Sequence, residues 1–148
     1  MKLAFASDHA GYKLKNILKE TAEKLGDTVI DFGTHSEDSV DYPDFIKLAA
    51  RAVKSKEADL AVVVCGSGIG ASIVANKIKG IRCALCTNIF MAKYSRLHND
   101  ANVLAIGARV TSEDDAIAIM QTWLSTGFEG GRHIKRIEKI SELENWFF

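Results

Sequence analysis

Cys65 stands where an apolar run gives way to a glycine-rich loop, in VVVCGSGIGAS at residues 62–72. A thiol at that boundary can be a small buried hydrophobe, a nucleophile, a redox centre or an acid–base group. Gly66, Gly68 and Gly70 permit positive φ and close backbone approach, and a helix is predicted to start near Ile69. Unpaired N–H groups at such a start, with the helix dipole, favour a thiolate and attract an anion or a developing oxyanion. The plainer alternative is a tight strand–helix turn whose glycines serve packing. GSGIG lacks the GxGxxG spacing and follows the third strand, which disfavours dinucleotide binding; no GK[ST] follows, so it is not a Walker loop. A tyrosine-phosphatase loop would need arginine at position 71, where this chain has Ala71. That reading fails.

Other chemistry-bearing residues are scattered. Asp8 and His9, in SDHAG, fall at the end of the first strand; Ser7 or Asp8 could instead cap the next helix. His98 and Asn99 end a helix, where a histidine can simply complement the dipole. Arg132 and Arg136 lie one helical turn apart, either as a solvated stripe or as a clamp for a phosphate dianion. Arg109, in AIGARV, is a third candidate. Cys83 and Cys86 form a C-x2-C on a predicted strand, where alternation sends them to opposite faces. No second cysteine pair completes a zinc site, so both are read as core.

These residues need elements to hold them. Short apolar segments, Lys2–Ala6, Thr28–Phe32, Leu60–Cys65, Ile81–Cys86 and Asn102–Ile106, alternate with stretches of helical spacing. Leu14, Ile17, Leu18, Ala22 and Leu25 are expected on one inward face, as are Phe45, Leu48, Ala49, Ala52 and Val53. Ile117, Met120 and Leu124 repeat the pattern. This alternation predicts a three-layer, Rossmann-like α/β fold: a five-stranded parallel sheet in flavodoxin-like order, with helices on both faces. Right-handed crossovers put every strand's C-terminal end, and hence the ligand, on one edge. Pro43 is expected in the first turn of the second helix. After Gly130-Gly131, residues from about 132 to 148 read as an amphipathic helix with Ile134, Ile137, Ile140 and Leu143 inward, docking on its own domain or on a partner. Its last few residues are expected to fray.

A chain of 148 residues with no internal linker suits one domain, residues 1–148. Acidic and basic residues balance at 19 each, so no global field draws it to nucleic acid or membrane. Any anion site is local. The N-terminal apolar stretch is too short for a secretory signal, and no run approaches a membrane span. Three cysteines suggest no disulfide framework, and a reducing cytoplasmic setting is expected.

Taken together, ASDHAG, DYPDF, VVVCGSGIGASIVANKIKGIRCALC, HNDANVLAIGAR and GGRHIKRI resemble the ribose-5-phosphate isomerase B family, which includes allose- and galactose-6-phosphate isomerases. The resemblance spans about residues 2–141. It implies a metal-independent aldose–ketose isomerase without cofactor, working through a cis-enediolate on D-ribose 5-phosphate and D-ribulose 5-phosphate. The alternatives it leaves are a hexose-phosphate isomerase and a non-catalytic sugar-phosphate-binding module. It makes Cys65 the base between C1 and C2, a role that in some relatives passes to a glutamate at the position of Ala71. Ser67 would bind substrate or pass protons, and Asp8 would serve the sugar hydroxyls. The N–H groups around Gly66, Gly68, Ile69 and Gly70 would steady the enediolate. His98 would open the ring with Asn99 beside it, and Tyr42 would line the pocket. His9, Arg109, Arg132 and Arg136 form the implied phosphate set. The family's sites are shared across a homodimer, or within a tetramer, with His98 and Arg109 as candidates for the partner's contribution.

Overall fold

The five apolar segments become strands: β1 (Lys2–Ser7), β2 (Thr28–Asp31), β3 (Leu60–Cys65), β4 (Cys83–Leu85) and β5 (Val103–Gly107). Every pairing is parallel. Around them lie α1 (Tyr12–Lys24), α2 (Tyr42–Lys54), α3 (Ile69–Asn76), α4 (Ile89–Asn99), α5 (Glu113–Ser125) and α6 (Arg132–Leu143). This computed structural model describes residues 1–146; the part of the expected fraying that falls on Phe147 and Phe148 lies outside the described residues. The architecture is the three-layer Rossmann-like fold that the alternation predicts.

One detail of the order differs. The strands run β2-β1-β3-β5-β4, so the last two are exchanged relative to the flavodoxin-like order. β5 is apolar and buried along its whole length, which suits an inner position. β4 has three half-buried residues and forms the edge. It is shorter than its apolar run because side chains replace ladder bonds. Asn102 Oδ1 accepts from the Arg82 N–H and Asn76 Oδ1 from the Cys83 N–H, each at 2.8 Å.

Alternation along the strands sorts two unlike layers. Leu3, Phe5, Val62, Val64, Leu104 and Ile106 face large side chains of α1 and α5, including Leu18, Met120 and Trp123. Ala4, Ala6, Ala61, Val63, Cys65 and Ala105 face α2 and α3, which present Ala49, Ala50, Ala52, Ala71 and Ala75. Small residues on both sides let these helices sit close to the sheet at interior packing density. Cys86 joins the first layer and Cys83 packs on the second, as alternation requires.

Three helical faces depart from expectation. Leu25 lies past the end of α1 and is 57% exposed. Leu48 is outward because α2 buries Ile46, Ala49, Ala50 and Val53 instead. On α6, Ile134, Ile140 and Leu143 face solvent and only His133 is buried. Both faces of the sheet are already covered, so α6 rests on α4 rather than on the core. Pro43 does sit in the first turn of α2.

A buried cation ties these layers to the loop before α2. Lys15, fully buried, donates to Asp31 Oδ1 at 2.8 Å and to the Thr34 carbonyl. Asp31 also accepts from Lys19 at 3.1 Å and from the Gly33 N–H at 2.9 Å. Burial pulls Lys15 below its ordinary pKa, against the attraction of Asp31. Burial alone would raise Asp31; the hydrogen bonds from Lys15, Gly33 and Lys19 together hold it below the usual carboxylate value. Asp31→Asn is expected to cost roughly 3 kcal/mol in urea unfolding, because it strands a buried ammonium. Asp31's own contribution is present above the ordinary carboxylate range and is lost as pH falls through its depressed folded value.

Candidate active site

Parallel pairing brings the ends of β1, β3 and β5 to one edge. There Cys65 pairs in register with Gly107, and the chain after β5 folds back over the Cys65 loop. The N–H groups of Ala108 and Arg109 donate to the carbonyls of Cys65 and Gly66, each at 2.9 Å. With its carbonyls held in this way, the loop turns sharply at Gly68, where φ is +77°. A Cβ on Gly68 would lie 2.6 Å from Leu85 Cδ1 and 2.9 Å from the Gly107 nitrogen. Only glycine fits. Gly66 and Gly70 keep ordinary φ, and Gly70 is needed for close approach: a Cβ there would meet the Tyr42 ring at 2.7 Å.

This turn aims backbone donors at the thiol and at the space above it. The Gly68 N–H donates to Cys65 Sγ at 3.2 Å, and the Ile69 N–H to Ser67 Oγ at 3.2 Å. The next two N–H groups, of Gly70 and Ala71, lie in the first turn of α3 and have no helical acceptor. Above them opens a cleft of about 550 Å³. Asp8, Tyr42, Cys65, Gly66, Ser67, Ile69, Gly70 and Arg109 line it, with Ile73 and Val110 as apolar walls.

Asp8 does not cap α1, whose N-cap is Gly11 with no side-chain cap bond. Asp8 Oδ1 accepts the Gly11 N–H at 3.0 Å, closing the turn into α1, while the carboxylate still borders the cleft. His9 follows it, half-buried. Its Nδ1 accepts the Val40 N–H at 3.2 Å, so the neutral ring carries its proton on Nε2, as a donor suited to an anion. The Arg109 guanidinium lies against Gly66, 3.3 Å from where a Cβ would be. Arg109 therefore lines the Cys65 cleft within its own chain.

The remaining candidates stand elsewhere. His98 and Asn99 border a separate hollow of about 270 Å³ between β4 and α4. Arg132 and Arg136 line a third, of about 360 Å³, with Lys135 and Lys139. Those two lysines complete an i, i+3, i+4, i+7 stripe that was readable in RHIKRIEK. Ile73 and Val110 carried no such signal, since an exposed apolar residue is ordinary in a sequence. A larger groove, about 710 Å³, lies at the opposite edge of the sheet and includes Ile140 and Leu143.

The other thiols are inert by environment. Burial pushes Cys83 up to about 12 and Cys86 up to about 11. Cys65 alone combines a cleft position with a backbone donor on sulfur.

A parallel sheet whose carboxyl edge gathers a thiol, a carboxylate and a guanidinium around a helix start defines a Rossmann-like protein with a cleft lined by ionisable groups. The family model described as Ribose/Galactose Isomerase matches residues 3–140, and the chain belongs to this family of isomerases. It is 43% identical over 143 residues to ribose-5-phosphate isomerase B of Escherichia coli (strain K12), covering 97% of this chain and 96% of that protein. The solved structure of Clostridium thermocellum ribose-5-phosphate isomerase B has 55% sequence identity and a TM-score of 0.96, with 97% of each chain covered. That of the Mycoplasma genitalium ribose-5-phosphate isomerase B, with bound ribulose-5-phosphate, has 38% identity and a TM-score of 0.93, covering 99% of this chain and 97% of that one.

Two outcomes check the site's local physics. Gly68→Ala should destabilise the fold by about 1–3 kcal/mol in chemical denaturation, from strain and overlap together. In Cys65→Ser, thiolate absorbance should rise only as pH nears about 11, because both remaining thiols hold their protons below that value.

Proposed function

We propose that the chain is a single-domain isomerase, residues 1–148, interconverting D-ribose 5-phosphate and D-ribulose 5-phosphate through a cis-enediolate. The observation that carries this reading is Cys65 Sγ at the cleft, held by the Gly68 N–H, with Asp8 and Ser67 lining the same space. Cys65, as thiolate, takes the proton from C2 of the open aldose and returns it to C1. No oxidant or reductant is needed, since the oxidation at one carbon balances the reduction at the next. The Gly70 and Ala71 N–H groups and the Ser67 hydroxyl steady the enediolate oxygens as negative charge develops. Asp8 holds the sugar hydroxyls.

Phosphate binding falls to His9 and Arg109 in the same chain, joined by Arg132 and Arg136. Anchoring this remote dianion positions the reacting carbons. His98, which opens the furanose ring, and Asn99 do not line the Cys65 cleft. They and the α6 arginines come from the partner in a homodimer. Support for a partner comes from the apolar rim of the cleft: Ile69, Ile73 and Val110 are each more than half exposed, as are Ile89 and Phe90. The outward stripe of α6 is the second docking surface. Three free cysteines fit a reducing, cytoplasmic setting.

Cys65→Ala is expected to lower kcat by roughly 10²–10⁴-fold with sugar-phosphate binding retained; near-normal turnover would remove Cys65 as the base. His98→Asn should slow a cyclic substrate more than a ring-opened one, and equal losses would overturn its ring-opening role. Catalytic efficiency on ribose 5-phosphate should exceed that on allose or galactose 6-phosphate; the reverse ranking would reassign the substrate.

A further inference from the structure

His98 belongs to a cluster whose other two members, Glu129 and His133, have no part in the proposed isomerisation. It sits in the last turn of α4, Glu129 in the segment between α5 and α6, and His133 in the first turn of α6. The Glu129 N–H donates to the Leu97 carbonyl at 3.1 Å, which fixes that segment against α4. His98 Nε2 lies 3.6 Å from Glu129 Oε2, and His133 Nε2 lies 3.2 Å from the same oxygen. All three donor atoms fall within 4.8 Å of one another. A tetrahedral zinc ion with bonds of about 2.0–2.1 Å sets its ligand atoms roughly 3.4 Å apart, between the two measured separations.

His133 supplies an independent reason to look for a ligand. It is 4% exposed, and its buried Nε2, although 3.2 Å from Glu129 Oε2, completes no hydrogen bond. Burial, with the neighbouring His98 and Arg132, holds its pKa below the ordinary histidine value against the pull of Glu129. When neutral, the ring has a lone pair to give. Two imidazoles and one carboxylate favour zinc over magnesium or calcium, and leave a fourth position for water.

We propose that His98, Glu129 and His133 bind one zinc-class divalent cation, and that its binding withdraws His98 from catalysis. The second half rests on the ring-opening role given to His98 above. The two rings are stacked, with centroids 4.1 Å apart and planes 17° from parallel, so their in-plane lone pairs do not yet converge. His98, the more exposed ring, has to turn to share an ion with His133. Turning re-aims the nitrogen that would serve the sugar. Bound metal and ring-opening histidine are then mutually exclusive states.

The test is calorimetric titration of metal-free, full-length protein with zinc, alongside cobalt(II) absorption spectra. One ion per chain is expected, with a tetrahedral cobalt spectrum lacking thiolate charge-transfer bands. Glu129→Gln and His133→Ala should each weaken binding about tenfold or more, while Cys65→Ala should leave it unchanged. No binding, or binding that survives both ligand variants or fails in Cys65→Ala, would overturn the site. Glu129 is half-exposed, so its variant remains informative even if His133→Ala does not fold. Zinc should also slow ribose 5-phosphate turnover in the parent protein and slow Glu129→Gln much less. Binding at this cluster without loss of turnover would overturn the regulatory half alone. A protein inactive on every sugar phosphate would overturn the proposed function while leaving the binding result to be read.

Discussion

Everything at the carboxyl edge depends on a backbone clasp between the ends of β3 and β5. Two N–H groups beyond β5 take up the carbonyls of Cys65 and Gly66, so the loop's acceptors point back into the sheet. Its donors are then left facing the other way, toward sulfur and cleft. A backbone segment has a fixed supply of donors and acceptors, and committing one set orients the other. The helix start that follows would attract an anion on any fold. Here the clasp decides that the thiol shares that field. It depends in turn on the exchanged strand order: with β4 beside β3, Ala108 and Arg109 would have no Cys65 carbonyl to meet.

The clasp also recruits charge. The turn that grips Gly66 delivers the Arg109 guanidinium to the same spot. The missing arginine at position 71 rules out a phosphatase loop, yet a cation reaches the Cys65 cleft by another route, from the turn after β5. Sequence spacing along one loop cannot reveal such a meeting, because the two segments are some forty positions apart and are joined only by the sheet. The Arg132 and Arg136 stripe shows the converse. Its spacing is plain in the sequence, but the chain's own fold holds it apart from the Cys65 cleft, in a hollow of its own.

What was legible follows that division. Strand existence, the two cysteine faces and the start of α3 were readable, because each is set by local alternation or by glycine. The positions of β4 and β5 were not, since order depends on which strand tolerates burial on both sides. Lys15 was hidden for a related reason. Its helical position looks like a solvated charge until Asp31 and Thr34, from distant β2 and its loop, close over it. The α6 face misled because amphipathic spacing tells which residues are apolar but not which molecule covers them. Of the candidate site, the Cys65 cleft was nearly all visible. The Glu129–His133 pair beside His98 was visible as an i, i+4 spacing, and only the stacking against α4 gave it meaning.

The alanine-lined layer beneath Cys65 bears on how this site can vary. Ala4, Ala6, Ala61, Ala75 and Ala105 are fully buried, so a larger side chain at any of them has to displace the helices packed on the sheet. Tolerance to sequence drift is therefore one-sided. The floor of the cleft is closed to innovation, while Ile73, Val110 and the loop before Tyr42 are bounded on one side by solvent. New specificities on this scaffold would arise more readily by reshaping the walls of the cleft than by enlarging the alanines beneath it.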